Sequence, residues 1–92
     1  MSARSITVAP AGARSWRVEV RGDSTTSHEV TIPEAYLEKL GVAAVAPARV
    51  IEESFRFLLE RESNTSILRS FSPPVIASYF PEYEKEIGRR LA

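Results

Sequence analysis

The chain predicts an α+β fold, a short antiparallel β-meander of two or three strands followed by four or five short helices. Three observations carry this expectation. Trp16, Val18 and Val20 alternate with Arg17, Glu19 and Arg21, and His28, Val30 and Ile32 alternate with Glu29 and Thr31, the period of two that buries one face of a strand. Beyond residue 33 the apolar residues recur at three and four, the helical period. Prolines and Ser/Thr cap signals interrupt that second pattern repeatedly, so several short helices are expected rather than one long one.

In chain order, Ile6 and Val8 suggest an additional strand before a turn at residues 9–13. Residues 22–27, GDSTTS, carry nothing apolar and read as a hairpin loop between the two clear strands. Pro33 suits a first helical turn, Thr31 and Glu34 have the spacing of a capping box, and Gly41 supplies a left-handed stop after Tyr36, Leu37 and Leu40. Residues 42–46 form an apolar connector. Pro47 opens the strongest helical pattern, with Val50, Ile51, Ser54, Phe55, Leu58 and Leu59 on one face and Phe57 widening it on the Val50 side. One sheet face would not cover so wide a stripe, so either the C-terminal segment or another copy of the chain must pack on it. Ile67, Leu68 and Phe71 suggest one amphipathic turn, and Ser72-Pro73 starts a helix through Val75, Ile76, Tyr79 and Phe80. After Pro81, Tyr83, Ile87 and Leu91 fall four apart, with acids early and bases late as the helix dipole favours. The expected organisation is a flexible N-terminal segment or edge strand over residues 1–13 and a single α+β domain over 14–92, anchored by Trp16 and able to fold without the first 13 residues.

Composition narrows the chemistry. Of 92 residues, 12 are Lys or Arg and 12 are Asp or Glu, so no net charge pulls the chain toward nucleic acid or an anionic membrane. Zero cysteines exclude disulfides, thiolate catalysis and cysteine-based metal sites. The longest uncharged stretch, residues 70–81, holds three prolines and is shorter than the roughly 20 residues a membrane-spanning helix needs. The N-terminal stretch is too short and polar for a secretory signal core, which makes the cytoplasm the expected compartment. No phosphate-binding loop, nucleophile elbow, H-E-x-x-H or EF-hand spacing is present. His28, the only histidine, has the parity of Val30 and Ile32 and is expected inward as a structural residue. No catalytic residue, cofactor or metal site is expected. Arg17 and Arg21 lie on the polar side of the strand ribbon together with Glu19 and Glu29, a pattern that cross-strand ion pairing explains.

Residues 28–60, with HEVTIPEAYLEKLG followed by Pro47, Ala48, Arg49, Val50, Ile51 and Phe55, resemble a ribbon-helix-helix DNA-binding unit, in which a strand ends at a Leu/Ile-Pro step before two helices. That resemblance implies a dimer laying paired strands in the major groove, with Glu29 and Thr31 as the outward strand positions and Ala48 and Arg49 at the helix end that meets phosphate. SFRFLLERE (54–62), SILRSF (66–71) and IASYFPEYE (76–84) are similar to a family of small bacterial proteins of unassigned function, which implies a fold from about Trp16 onward but no activity. The leading expectation is a non-catalytic interaction or accessory domain working through protein contacts, self-association into a homodimer included, with Val50, Phe57, Arg17 and Arg21 as the partner surface. A ribbon-helix-helix-like transcriptional regulator is the alternative.

Overall fold

In a computed structural model, which describes residues 5–22, 24–33, 35–42 and 44–91, the chain forms a mixed α and β fold. The strands are β1 (Ser5–Pro10), β2 (Ser15–Arg21), β3 (Thr25–Thr31) and β4 (Ser70–Phe71). They form one sheet in the order β1-β2-β3-β4, antiparallel except for the parallel β3–β4 pair. The helices are α1 (Tyr36–Lys39), α2 (Pro47–Leu59), α3 (Pro73–Tyr79) and α4 (Tyr83–Leu91), with a 3-10 turn at Asn64–Ser66. The radius of gyration is 12.4 Å, and a compact chain of this length has about 12 Å.

The two-residue period sorts the sheet into two faces. Ile6, Val20 and Thr26 form one inward row, Val8, Val18 and His28 the next, and Pro10, Trp16, Val30 and Phe71 the third. Their neighbours point outward, and on β2 and β3 these include Arg17, Glu19, Arg21, Glu29 and Thr31. Ile6 and Val8 therefore do form a strand, paired with β2 from Ser5 to Pro10. Thr25 and Ser27, expected in the loop, belong to β3, because register with Arg21 and Glu19 supplies partners for backbone groups that a longer loop would leave to solvent.

The helices cover the inward face. Pro47 opens α2, as its missing N–H predicts, and Val50, Ile51, Ser54, Phe55, Phe57 and Leu58 are all buried. The first helix is shorter than expected, starting at Tyr36 rather than Pro33; the Glu34 half of the expected capping box lies outside the described residues. Its stop is as expected. Gly41 has φ +74°, its N–H donates to the Glu38 carbonyl, and the Val42 N–H donates to the Leu37 carbonyl, which closes a Schellman motif. The amphipathic turn expected from Ile67, Leu68 and Phe71 is absent. Its place is taken by the 3-10 turn and β4, because the Glu29 N–H donates to the Arg69 carbonyl at 2.7 Å and draws this segment into the sheet.

The C-terminal helix supplies the missing cover for α2. Tyr83, Ile87 and Leu91, four apart, are buried, and the Tyr83 ring meets Phe57 edge-on with centroids 5.3 Å apart. The Ser54 hydroxyl donates to the Val50 carbonyl, so the Tyr83 hydroxyl donates to Ser54 Oγ, both at 2.7 Å. Tyr36 Oη donates to Glu84 at 2.6 Å and ties α1 to α4. Val50 and Phe57 are each 0% exposed. The expectation that they form a partner surface is thereby corrected: the stripe from Val50 to Leu58 is closed inside the chain, and of the stripe residues Leu59 is left partly buried.

Candidate functional site

Two large apolar side chains stand out on the surface, Leu68 at 49% and Tyr79 at 68% exposure. Both border the same groove. It is a cavity of about 240 Å³ between the C-terminal end of α2, the segment leading into β4, and α3, with Leu58, Ile67, Phe71, Val75, Ile76 and Phe80 completing its apolar lining. Glu62 is the one charged residue on its wall, and Ser66 is the other polar one.

Local sequence explains each wall. Ser72 is extended, with φ −125° and ψ 154°, and Pro73 after it starts α3. Pro81 keeps Phe80 out of helical geometry, at φ −131° and ψ 92°, so α3 ends at Tyr79 and Phe80 turns along the groove. The facing wall is held from beneath by a buried polar chain. His28 Nδ1 lies 2.7 Å from the Leu68 carbonyl, which can only accept, so Nδ1 carries the proton. His28 Nε2 is hydrogen-bonded to the Thr26 hydroxyl at 2.8 Å, and Asn64 Nδ2 donates to Thr26 Oγ1 at 2.9 Å and to the Ser24 carbonyl at 3.0 Å. The His28 ring also packs at 5.3 Å on Phe55. Thus His28, 3% exposed, is inward, and its bonds fix the backbone that presents Leu68.

A second, more open depression of about 590 Å³ lies at the β1 side of α2, lined by Ile6, Glu53, Arg56, Leu59, Glu60, Arg89 and Arg90. Arg56 pairs with Glu52 at 2.7 Å and Glu53 at 3.8 Å; Arg90 pairs with Glu60 at 2.7 Å and Glu86 at 2.8 Å. Arg89, then Arg90, hold the Glu86 carboxyl down to about 2, and Arg90 likewise lowers Glu60.

Arg17 and Arg21 are on the outward sheet face, with Arg21 bonded to Glu19 on its own strand at 2.9 Å and Arg17 opposite Glu29 in register. Glu29 and Thr31 share that face, whereas Ala48 and Arg49 sit in α2 on the other side of the sheet, so the four positions are not brought together. β2 lies along the whole of β3 on one edge, and β4 covers the other edge at Glu29 and Val30. No group of His, Asp and Glu suited to a metal occurs among the described residues.

Leu68 and Tyr79 were not singled out as surface residues by periodicity, which placed both on apolar helical faces. The available signal was compositional: residues 70–81 are uncharged in a chain that is 26% charged, and they supply Phe71, Val75, Ile76, Tyr79 and Phe80 to the groove. Comparison with family models, curated proteins and solved structures finds no match.

Proposed function

We propose that this domain is a non-catalytic interaction module that accepts a bulky apolar side chain of a partner protein in the groove between Leu68 and Tyr79. The carrying observation is that, among the described residues, the two exposed large apolar side chains both stand at the rim of one cavity. Its volume, about 240 Å³, is below the roughly 300–1,000 Å³ of sites that bury drug-sized ligands, and suits one anchoring side chain. Eight of the ten residues of the lining are apolar, so what it offers is chiefly apolar contact. Glu62, the lone charge on the wall, favours a partner segment with a basic residue beside its apolar anchor.

A peptide library panned against the immobilised domain tests this reading. Selected peptides should share an apolar residue next to Lys or Arg and lose binding to a folded Leu68→Glu, Tyr79→Glu double variant. Peptides that bind the variant and the parent equally would overturn it.

A further inference from the structure

The sheet has two very different edges. On one side it ends at β4, two residues long and followed at once by Ser72 and Pro73, a stop that leaves little to pair with. On the other it ends at β1, six residues, SITVAP, in unbroken register with β2 and without a charged side chain. Among the described residues no strand lies beyond β1. Exposed edges of that length are ordinarily blunted by charge, a bulge or an internal proline, because alternate residues aim both N–H and C=O at whatever strand comes next. Pro10 stands only at the very end.

The side chains at this edge are as unfinished as the backbone. Ile6 and Val8 continue the inward apolar rows of Val20 and Val18 but are only partly buried, and α2 reaches over β1 with Leu59, also partly buried, beside Ile6. Around them the rim carries both signs, Glu53 and Glu60 with Arg56, Arg89 and Arg90. A two-fold contact sets a surface against its own copy, so a rim of mixed charge can set acid against base, whereas a single-sign rim cannot.

We infer that β1 pairs antiparallel with β1 of a second copy of this chain, joining two four-stranded sheets into one eight-stranded sheet. The pleat limits the register to residue-centred pairings, and the one centred on Thr7 pairs Ser5 through Ala9 while keeping Pro10, which has no N–H, out of the ladder. Residues opposite each other must point to the same face, so the two-fold axis passes through a residue and not between two. With the axis at Thr7, Ile6 meets Val8 on the inward face, Ser5 meets Ala9 outward, and Pro10 falls outside the paired stretch. Thr7 then faces its own copy, a favourable cross-strand pair on the solvent side. This surface is separate from the Leu68–Tyr79 groove, and either assignment stands without the other.

Sedimentation of the full chain, with three variants, tests the inference. A dimer is expected at micromolar concentration. Thr7→Lys sets two cations against each other on an exposed face, and should weaken the dimer by roughly tenfold or more while leaving the circular dichroism spectrum and thermal midpoint of the monomer unchanged. Thr7→Cys, in a chain with no other cysteine, should give a disulfide-linked dimer on mild oxidation, and Ala9→Cys should not, because its two copies lie several residues apart across the axis. A chain that stays monomeric to millimolar concentration would overturn the inference. So would a dimer that Thr7→Lys leaves intact, or one that Leu68→Glu dissociates while Thr7→Lys does not.

Discussion

The guanidinium of Arg61 lies 3.6 Å from the centroid of the Phe57 ring and also donates to the Phe57 carbonyl at 3.1 Å. It closes the core over the end of α2, and Glu82 holds it at 3.3 Å from the far side. Stacking and hydrogen bonding of this kind need a flat, multidentate cation. Arg61→Ala should therefore cost about 1–2 kcal/mol in urea unfolding, and Arg61→Lys should recover only a minor part of it. Full recovery by lysine would show that charge alone matters there.

Alkaline pH should loosen the fold. Burial pushes the Tyr83 phenol up to about 12, and burial followed by the Glu84 hydrogen bond raises Tyr36 as well. A raised folded value means that the contribution is complete below the ordinary value of 10.0 and is lost as pH climbs toward 12. For Tyr83 the loss amounts to roughly 2–3 kcal/mol. Urea midpoints measured from pH 9 to 12 should fall, and should fall less steeply in Tyr83→Phe.

Acid acts through the opposite sign. With its carboxyl held down to about 2 by Arg89 and Arg90, Glu86 contributes above the ordinary value of 4.5, and that contribution drains away as pH drops toward 2. The group is on the surface, so salt should screen it. Between pH 4.5 and 2 the wild-type chain should lose stability faster than Glu86→Gln, and the gap between them should narrow at 1 M salt, as thermal midpoints would report.

Gly41→Ala isolates backbone strain from packing. A Cβ there would meet nothing within 4 Å, while φ of +74° remains a conformation that L-residues resist. The expected cost is about 1 kcal/mol by denaturant titration. A neutral result would mean that the Schellman turn relaxes to another geometry.

Removing residues 1–13 should destabilise the domain, contrary to the expectation that 14–92 suffices. Truncation takes away β1, bares one edge of β2 and uncovers Val18, Val20 and the β1-facing side of α2. A fall in thermal midpoint of roughly 10 °C or more is expected. An unchanged midpoint would show that β1 adds no stability.

Strands β2 and β3 and helices α2 and α4 were legible because each has a strict apolar period and its own start signal, as with Pro47 for α2 or the Tyr83, Ile87, Leu91 spacing for α4. Two features resisted. β4 has only Ser70 and Phe71, too few residues for any period, and its place is set by β3, some 40 residues earlier, through bonds such as His28 to Leu68. The width of the α2 stripe correctly demanded extra cover, but periodicity on one helix does not say whether the cover is α4 or another chain. For the groove, Leu68 and Tyr79 have the residue types of core and the exposure of surface, a distinction that tertiary placement alone decides.

The parallel β3–β4 pair is also the part of the sheet that closes over the longest stretch of chain. The β1–β2 and β2–β3 hairpins close over short loops, whereas β4 reaches the edge of β3 only after the chain has run through α2 and back, some 40 residues later. The segment from Asn64 to Phe71 is latched by a few long-range bonds with modest apolar burial of its own. Its amides should exchange with solvent sooner than those of β2 or α2, and a partner seated in the groove would slow that exchange first at this segment. If exchange there is the fastest, the wall that presents Leu68 is the one that opens, and occupancy of the groove and local closing become two readings of one equilibrium.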